Sequence, residues 1–178
     1  ASGNPPLFVA VGRFVPVKGP HLTLLAFSKV LAACPEARMK MVGDGPLLET
    51  CQDLAVGLGV NKAVEFTGAL SHGDVAATMS GARAFVQHSV RTAEVLSEGS
   101  PVAVLEAGAS GLPVVATRNG GIAETVVHQQ TGLLVEQRDV EGMAAHMVAL
   151  VRDPQEAGRL GRAARQRVSA HFSMERSI

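Results

Sequence analysis

The chain has 178 residues, 47% of them hydrophobic, which is enough to bury the core of one α/β-sized domain. Lys and Arg number 16, as do Asp and Glu, so no general field draws the chain to nucleic acid or anionic membrane, and any bound anion must be held by a few placed cations. No apolar run approaches the roughly 20 residues of a transmembrane helix, and the opening ASGNPPLF has neither the basic start nor the long apolar stretch of a signal peptide; the expectation is a soluble, cytoplasmic protein.

In chain order, short β-rich apolar runs alternate with longer helical patterns. "LFVAVG" (7–12) reads as a strand, and Leu22, Leu25, Ala26 and Lys29 at three-to-four spacing predict a helix near 19–34. "ARMKMVG" (37–43) leads into a helical pattern around 47–58, and "AVEFTG" (63–68) into one at 72–80. "ARAFVQH" (82–88) is followed by a loop and a helix beginning near Pro101. "LPVVAT" (112–117) and "TGLLVE" (131–136) are the last strands, and the tail from Val140 to about Phe172 reads as two helices broken at Asp153-Pro154. Six strands joined by right-handed crossovers predict a Rossmann-like, doubly wound parallel sheet, whose ligands sit beyond the carboxyl ends of the strands. No repeat or linker divides the chain, so residues 1–178 read as one domain.

Cys34 and Cys51 stand in no CxxC and near no metal-spaced His, which predicts a buried structural role for both. The six histidines form no HExxH or facial-triad pattern and no DxD pair occurs, so no metal ligand set is expected.

Chemistry concentrates after two strands. The first ends in "VGRFVPVKGPH", where Gly12 and Gly19 bracket Arg13 and Lys18. A Walker A loop is excluded, because Lys18 is followed by Gly19 and Pro20 where GK-Ser/Thr is required. The dinucleotide fingerprint fails as well, since "GDGPLL" (43–48) has Leu48 at its third glycine position. A glycine-lined turn with two cations, opening a helix whose N-terminus favours anions, suits a phosphate or diphosphate. Two solvated surface cations on a turn would read the same way.

The fourth crossover is "SEGSPVAVLEAGASGLPVVAT". Ser100 makes a good N-cap and Pro101 a good first helical residue, which leaves Glu98 in the loop and Glu106 about a turn and a half inside the helix. Glu106 lies among Val102, Val104, Leu105 and Ala107, and a carboxylate with apolar neighbours costs free energy unless it accepts hydrogen bonds, for which sugar or ribose hydroxyls are suitable donors. For Glu98, an acid near a helix start is also simply favoured by the helix dipole, an explanation that does less for Glu106. The Asn119-Gly120-Gly121 loop after the fifth strand reads as a turn.

Taken together, "VGRFVPVKGPHLTLLAF", "MVGDGPL", "FTGAL", "SEGSPVAVLEAGASGLPVVATRNGGIAETV" and "TGLLVE" resemble, in order and spacing, the C-terminal domain of GT-B retaining glycosyltransferases of family 4. The "HSV" and "EGSPVAVLEA" wording is similar to the bacterial exopolysaccharide branch, of the colanic-acid type. The resemblance covers nearly the whole chain. It implies one half of a GT-B fold and, as part of a longer chain, a hexosyltransferase moving sugar from a nucleoside-diphosphate sugar, such as a UDP-sugar, to a glycan or lipid-linked acceptor. It further implies that Arg13 and Lys18, beside Gly12, hold the donor diphosphate and stabilise the leaving group. Glu98 would contact the transferred sugar, Glu106 the ribose hydroxyls, and the backbone near Leu70 the nucleobase. No metal or other cofactor is implied.

Relatives often carry Phe-Gly where this chain has Ser100-Pro101, and Pro101 has no N–H to offer the donor; Ser100, or the N–H of Val102, stands as the substitute. The resemblance also implies an N-terminal acceptor domain absent from these residues, a fragment inactive alone, and peripheral membrane association of the full enzyme only. Two other readings use the same pocket: a nucleotide-sugar-binding module without transferase activity, and a GT-B-like nucleotide-sugar epimerase or hydrolase.

Overall fold

The computed structural model describes residues 4–91 and 102–176, with side chains described to residue 170. Glu98, Ser100 and Pro101, and with them the expected cap of the fourth crossover helix, lie outside the described residues.

Six strands, β1 (Leu7–Val11), β2 (Arg38–Val42), β3 (Val64–Gly68), β4 (Ala84–Gln87), β5 (Val114–Thr117) and β6 (Gly132–Val135), form one sheet. Its order is β3-β2-β1-β4-β5-β6, and every pair is parallel. Helices α1 (Pro20–Ala33), α2 (Leu48–Gly57), α3 (His72–Met79), α4 (Val102–Ala109), α5 (Gly121–Thr125), α6 (Val140–Arg152) and α7 (Pro154–Arg176) make the connections. This is the doubly wound arrangement expected, with the break between α6 and α7 at Asp153.

Strand residues alternate between two cores, as the pleat requires. Phe8, Met39, Met41, Val64, Val86 and Val115 face one side, with Phe27 of α1, Cys51 of α2 and Met143 and Met147 of α6. Val9, Val42, Phe85, Val114 and Ala116 face the other, with Val75 and Met79 of α3, Val104 of α4 and Ile122 of α5. All four residues of β4 and of β5 are buried, as strands covered on both faces should be. Cys34 and Cys51 are free and buried, and burial raises the Cys51 thiol to about 11.

Two details differ from the sequence reading. The Asn119-Gly120-Gly121 turn continues into the short helix α5, too brief to show a 3.6-residue period. A 3₁₀ turn over Pro16–Lys18 precedes α1.

The topology also locates the ligand crevice. Strand order reverses between β1 and β4, and in such sheets ligands bind beyond the carboxyl ends at that switch point.

Candidate functional site

The segment leaving β1 is tied down on both sides. Gly12 N–H donates to Val42 O and Phe14 N–H to Asp44 O, both at 3.0 Å, and Leu47 N–H returns to Phe14 O at 2.9 Å. The "VGDGPL" loop after β2 is therefore a brace for the Arg13 loop. Its glycines permit the approach: a Cβ on Gly43 would lie 2.0 Å from Gly12 O, and one on Gly45 2.7 Å from Phe14 O. Phe14 is buried against Phe66, with ring centroids 6.2 Å apart. Between the fixed Gly12 and Phe14, Arg13 is left exposed.

Lys18 closes the 3₁₀ turn, its N–H donating to Val15 O at 3.1 Å. Its aliphatic stem passes over Gly12, close enough that a methyl group there would be 3.6 Å from Lys18 Cδ. Gly19 then turns the chain at φ 58° into α1, where a Cβ would lie 1.9 Å from His88 O. Gly12, Arg13 and Lys18 thus line one shallow, solvent-open cleft with Phe14, Thr23 and Gln87.

The start of α1 adds less than its sequence suggested. Pro20 has no N–H, and the amides of Leu22 and Thr23 both donate to Gly19 O at 3.0 Å. Among the described residues the His21 amide alone is left free in the first turn. An anion here would depend mainly on Arg13 and Lys18.

The exit of β4 locks this loop from the other side. Val90 N–H donates to Val17 O at 2.9 Å, Gln87 Nε2 to Ser89 Oγ at 2.6 Å, and the Thr117 hydroxyl to Ser89 O at 2.7 Å. His88 is fully buried, accepts the Arg138 N–H at Nε2 (2.8 Å), and faces Met143 Sδ with Nδ1 at 3.3 Å. The proton therefore resides on Nδ1. Burial, against the partly opposing charge of Asp139 and with help from His21 and Arg138, pulls its pKa down to about 4. A second tie, Arg91 N–H to Gln137 Oε1 at 2.7 Å, pins the same turn after β6. Neither His88 nor this clasp was anticipated, because a lone histidine carries no local pattern.

On the α3 side, the half-buried Leu70 packs its side chain against the second core, while among the described residues neither of its backbone polar groups is hydrogen-bonded. Ser71 caps α3 by accepting from Asp74 N–H at 3.1 Å, and His72 projects beyond it. Its Nδ1 is 3.8 Å from Glu106 Oε1, with side-chain exposures of 96% and 34%. This corrects the expected apolar surroundings of Glu106. Val104 and Ala107 turn to the core, whereas Val102, one turn back on the same helix face, is 53% exposed.

The structure therefore gathers Gly12, Arg13 and Lys18 in one cleft and brings His72, two residues beyond Leu70, beside Glu106. Glu98 and Ser100 lie outside the described residues. Asn119, at the exit of β5, is fully buried with neither side-chain polar atom hydrogen-bonded, a costly arrangement unless a partner arrives. Among the described residues no three His, Cys, Asp or Glu side chains converge to hold a metal, and no helix is long and apolar enough to cross a membrane.

The family model described as "Glycosyl transferases group 1" matches residues 1–167. The GDP-mannose-dependent alpha-(1-6)-phosphatidylinositol monomannoside mannosyltransferase of Mycolicibacterium smegmatis is 36% identical over 164 residues, covering 92% of this chain and 43% of the relative. The putative colanic acid biosynthesis glycosyltransferase WcaL of Escherichia coli is 30% identical over 176 residues, covering 98% and 43%. The crystal structure of Anabaena HepE in complex with UDP matches with a TM-score of 0.84 at 23% identity, over 95% of this chain and 45% of that one. The chain spans less than half the length of these relatives.

Proposed function

Because the chain belongs to the glycosyl transferases group 1 family, we propose that it is the C-terminal, donor-binding domain of a GT-B, family 4 retaining glycosyltransferase. The observation that carries this reading is the braced Gly12–Lys18 loop, which presents two cations in one cleft at the β1/β4 switch point. A nucleoside-diphosphate sugar would place its diphosphate there, against Arg13 and Lys18, with Gly12 allowing close approach of the backbone. The free backbone of Leu70 would take the base and Glu106 the ribose hydroxyls. Glu98 would orient the sugar, with the amide or hydroxyl of Ser100, or the Val102 N–H, serving where Pro101 cannot.

In the reaction we assign to the whole enzyme, the bond between the anomeric carbon and the β-phosphate oxygen breaks. Negative charge then builds on the diphosphate, and Arg13 and Lys18 stabilise it where it develops. The acceptor hydroxyl bonds to the anomeric carbon on the face the donor leaves, and its proton passes to the departing phosphate oxygen. No metal is required in this scheme, because the two cations supply the charge.

An N-terminal acceptor domain accords with relatives more than twice the length of this chain. The likeness to WcaL supports an exopolysaccharide-type glycan acceptor, and the mannosyltransferase's phosphatidylinositol-linked substrate supports a lipid-linked one. Either fits a cytoplasmic enzyme meeting the membrane peripherally. One relative is GDP-mannose-dependent and one structural neighbour binds UDP, so the test runs UDP, GDP and ADP in parallel. Calorimetric titration should show one of them binding the chain at 1:1, with no sugar transfer by the chain alone. No binding of any of the three would refute the donor site, and turnover would refute the assignment as half an enzyme.

A further inference from the structure

At the opposite end of the sheet from Arg13, a cavity of about 450 Å³ opens at the amino ends of β1, β2 and β3, lined in part by Leu7, Arg38, Lys40, Lys62, Glu65 and Ser80. Its charged floor is unexpected for this fold. Strands of a parallel sheet covered on both faces are normally apolar on both. The α1-side residues of β2 and β3 obey this, with Met39, Met41, Val64 and Phe66 in the first core. On the other face Val42 joins α3, but Arg38, Lys40 and Glu65 do not, because the eight-residue α3 packs its Val75 and Met79 toward Val9, Val42 and Phe85. Protection of a sheet edge does not account for the cations, since β2 is an interior strand between β1 and β3.

Lys40 is half-buried, and among the described residues it has no ion-pair or hydrogen-bond partner. The register sets it beside Glu65, yet the two form no ion pair. Arg38 is held in place, its Nη1 donating to Pro35 O at 3.0 Å and Ala37 O at 2.7 Å, with the rest of the guanidinium fork uncommitted. Three cations therefore face the cavity against one carboxylate, and its volume is in the range of small-molecule sites.

We propose that this cavity binds a small hydroxyl-bearing phosphomonoester, a sugar phosphate being the simplest member, at a site separate from the Arg13 cleft. Arg38, Lys40 and Lys62 meet the phosphate, whose charge of about −1.5 to −2 at neutral pH matches their excess. Glu65 and the Ser80 hydroxyl take the sugar hydroxyls. The inference does not depend on the assignment of the donor site.

Titration of the ¹⁵N-labelled chain with glucose 6-phosphate and mannose 6-phosphate tests it. At least one should move the amide signals of Lys40, Glu65 and Ser80 and leave those of Gly12 and Gly19 in place, with saturating UDP causing no displacement. Glucose and inorganic phosphate should each bind about tenfold or more weakly than the phosphomonoester, because each lacks half of the contacts. Lys40→Ala should weaken binding by about tenfold or more, the size of a lost charge-assisted contact, and Arg13→Ala should not change it. Because Lys40 lies in the sheet, Lys62→Glu on the exposed turn provides a second variant with the same expected loss and no packing change. Silence of those amides with both sugar phosphates, displacement by UDP, or undiminished affinity in both variants would overturn the proposal.

Discussion

The two ends of the sheet both gather cations, but they are built differently. At the carboxyl end, Arg13 and Lys18 ride on backbone laid against backbone: Gly43 abuts Gly12 O, Gly45 abuts Phe14 O, and Gly19 abuts His88 O. At the amino end, Arg38 and Lys40 stand on the pleat of β2, and Gly81, which lines the cavity, has nothing within 4 Å of where its Cβ would be. The first construction fixes loop positions before a ligand arrives, which lowers the ordering cost of binding. The second leaves placement to side-chain rotamers. Substitutions that are alike on paper should therefore act very differently at the two ends.

Gly19→Ala should have the largest effect. At φ 58° with a carbonyl 1.9 Å from the new methyl group, it should cost more than about 3 kcal/mol in urea unfolding and abolish nucleotide binding. Gly81→Ala, at φ 80° in open space, should cost only about 1–2 kcal/mol, the left-handed penalty alone. Equal losses would erase the contrast between the two ends.

The clasp at His88 makes the carboxyl end sensitive to acid. His88 remains neutral in the fold down to about pH 4, whereas in the unfolded chain it takes a proton near its ordinary 6.5. Stability is thus complete above pH 6.5 and falls as pH drops toward 4, by up to about 1.4 kcal/mol per pH unit. His21, whose pKa is lowered by burial and by Arg138, steepens the same slope. Unfolding free energies across this range should show it, and His88→Gln should flatten it.

Arg13→Ala and Lys18→Ala come next. Each should weaken nucleoside diphosphate binding by about 1.5–3 kcal/mol with the fold intact, while Lys40→Ala leaves it unchanged. Gly12→Ala sharpens the test, because a methyl group there meets only ordinary contact with the Lys18 stem. Its stability should stay within about 0.5 kcal/mol of the parent, so any lost affinity reports ligand approach. Calorimetry on the four variants distinguishes these outcomes.

Legibility followed the range of the physics. Strands β4 and β5 were readable because burial on both faces leaves a continuous apolar run, and the Arg13 loop because its glycines and cations are adjacent in sequence. The purpose of "VGDGPL" was not readable. It fails as a phosphate fingerprint and reveals itself as a brace only through contacts with Gly12 and Phe14, some 30 residues away. His88 and the charged floor at Lys40 were hidden for the same reason, since which face of β2 lacks a helix depends on how short α3 is. The surroundings of Glu106 were misread because sequence neighbours on a helix point in different directions.

Glu106 carries the smallest effect and separates two roles for one acid. If it accepts ribose hydroxyls, Glu106→Gln, which keeps one acceptor oxygen, should reduce the preference for UDP over its 2′,3′-dideoxy analogue by roughly 1 kcal/mol, about fivefold, the net worth of one ordinary hydrogen bond. If instead it only pairs with His72, the same variant should leave that preference untouched. His72→Ala probes the same contact from the other side. The ring is almost fully exposed and 3.8 Å from the carboxylate, so its loss should change stability by less than about 0.5 kcal/mol and leave ribose discrimination intact. A fall in discrimination in His72→Ala would mean that the imidazole positions the carboxylate for the sugar, making the contact a two-residue device that the α4 sequence alone does not contain.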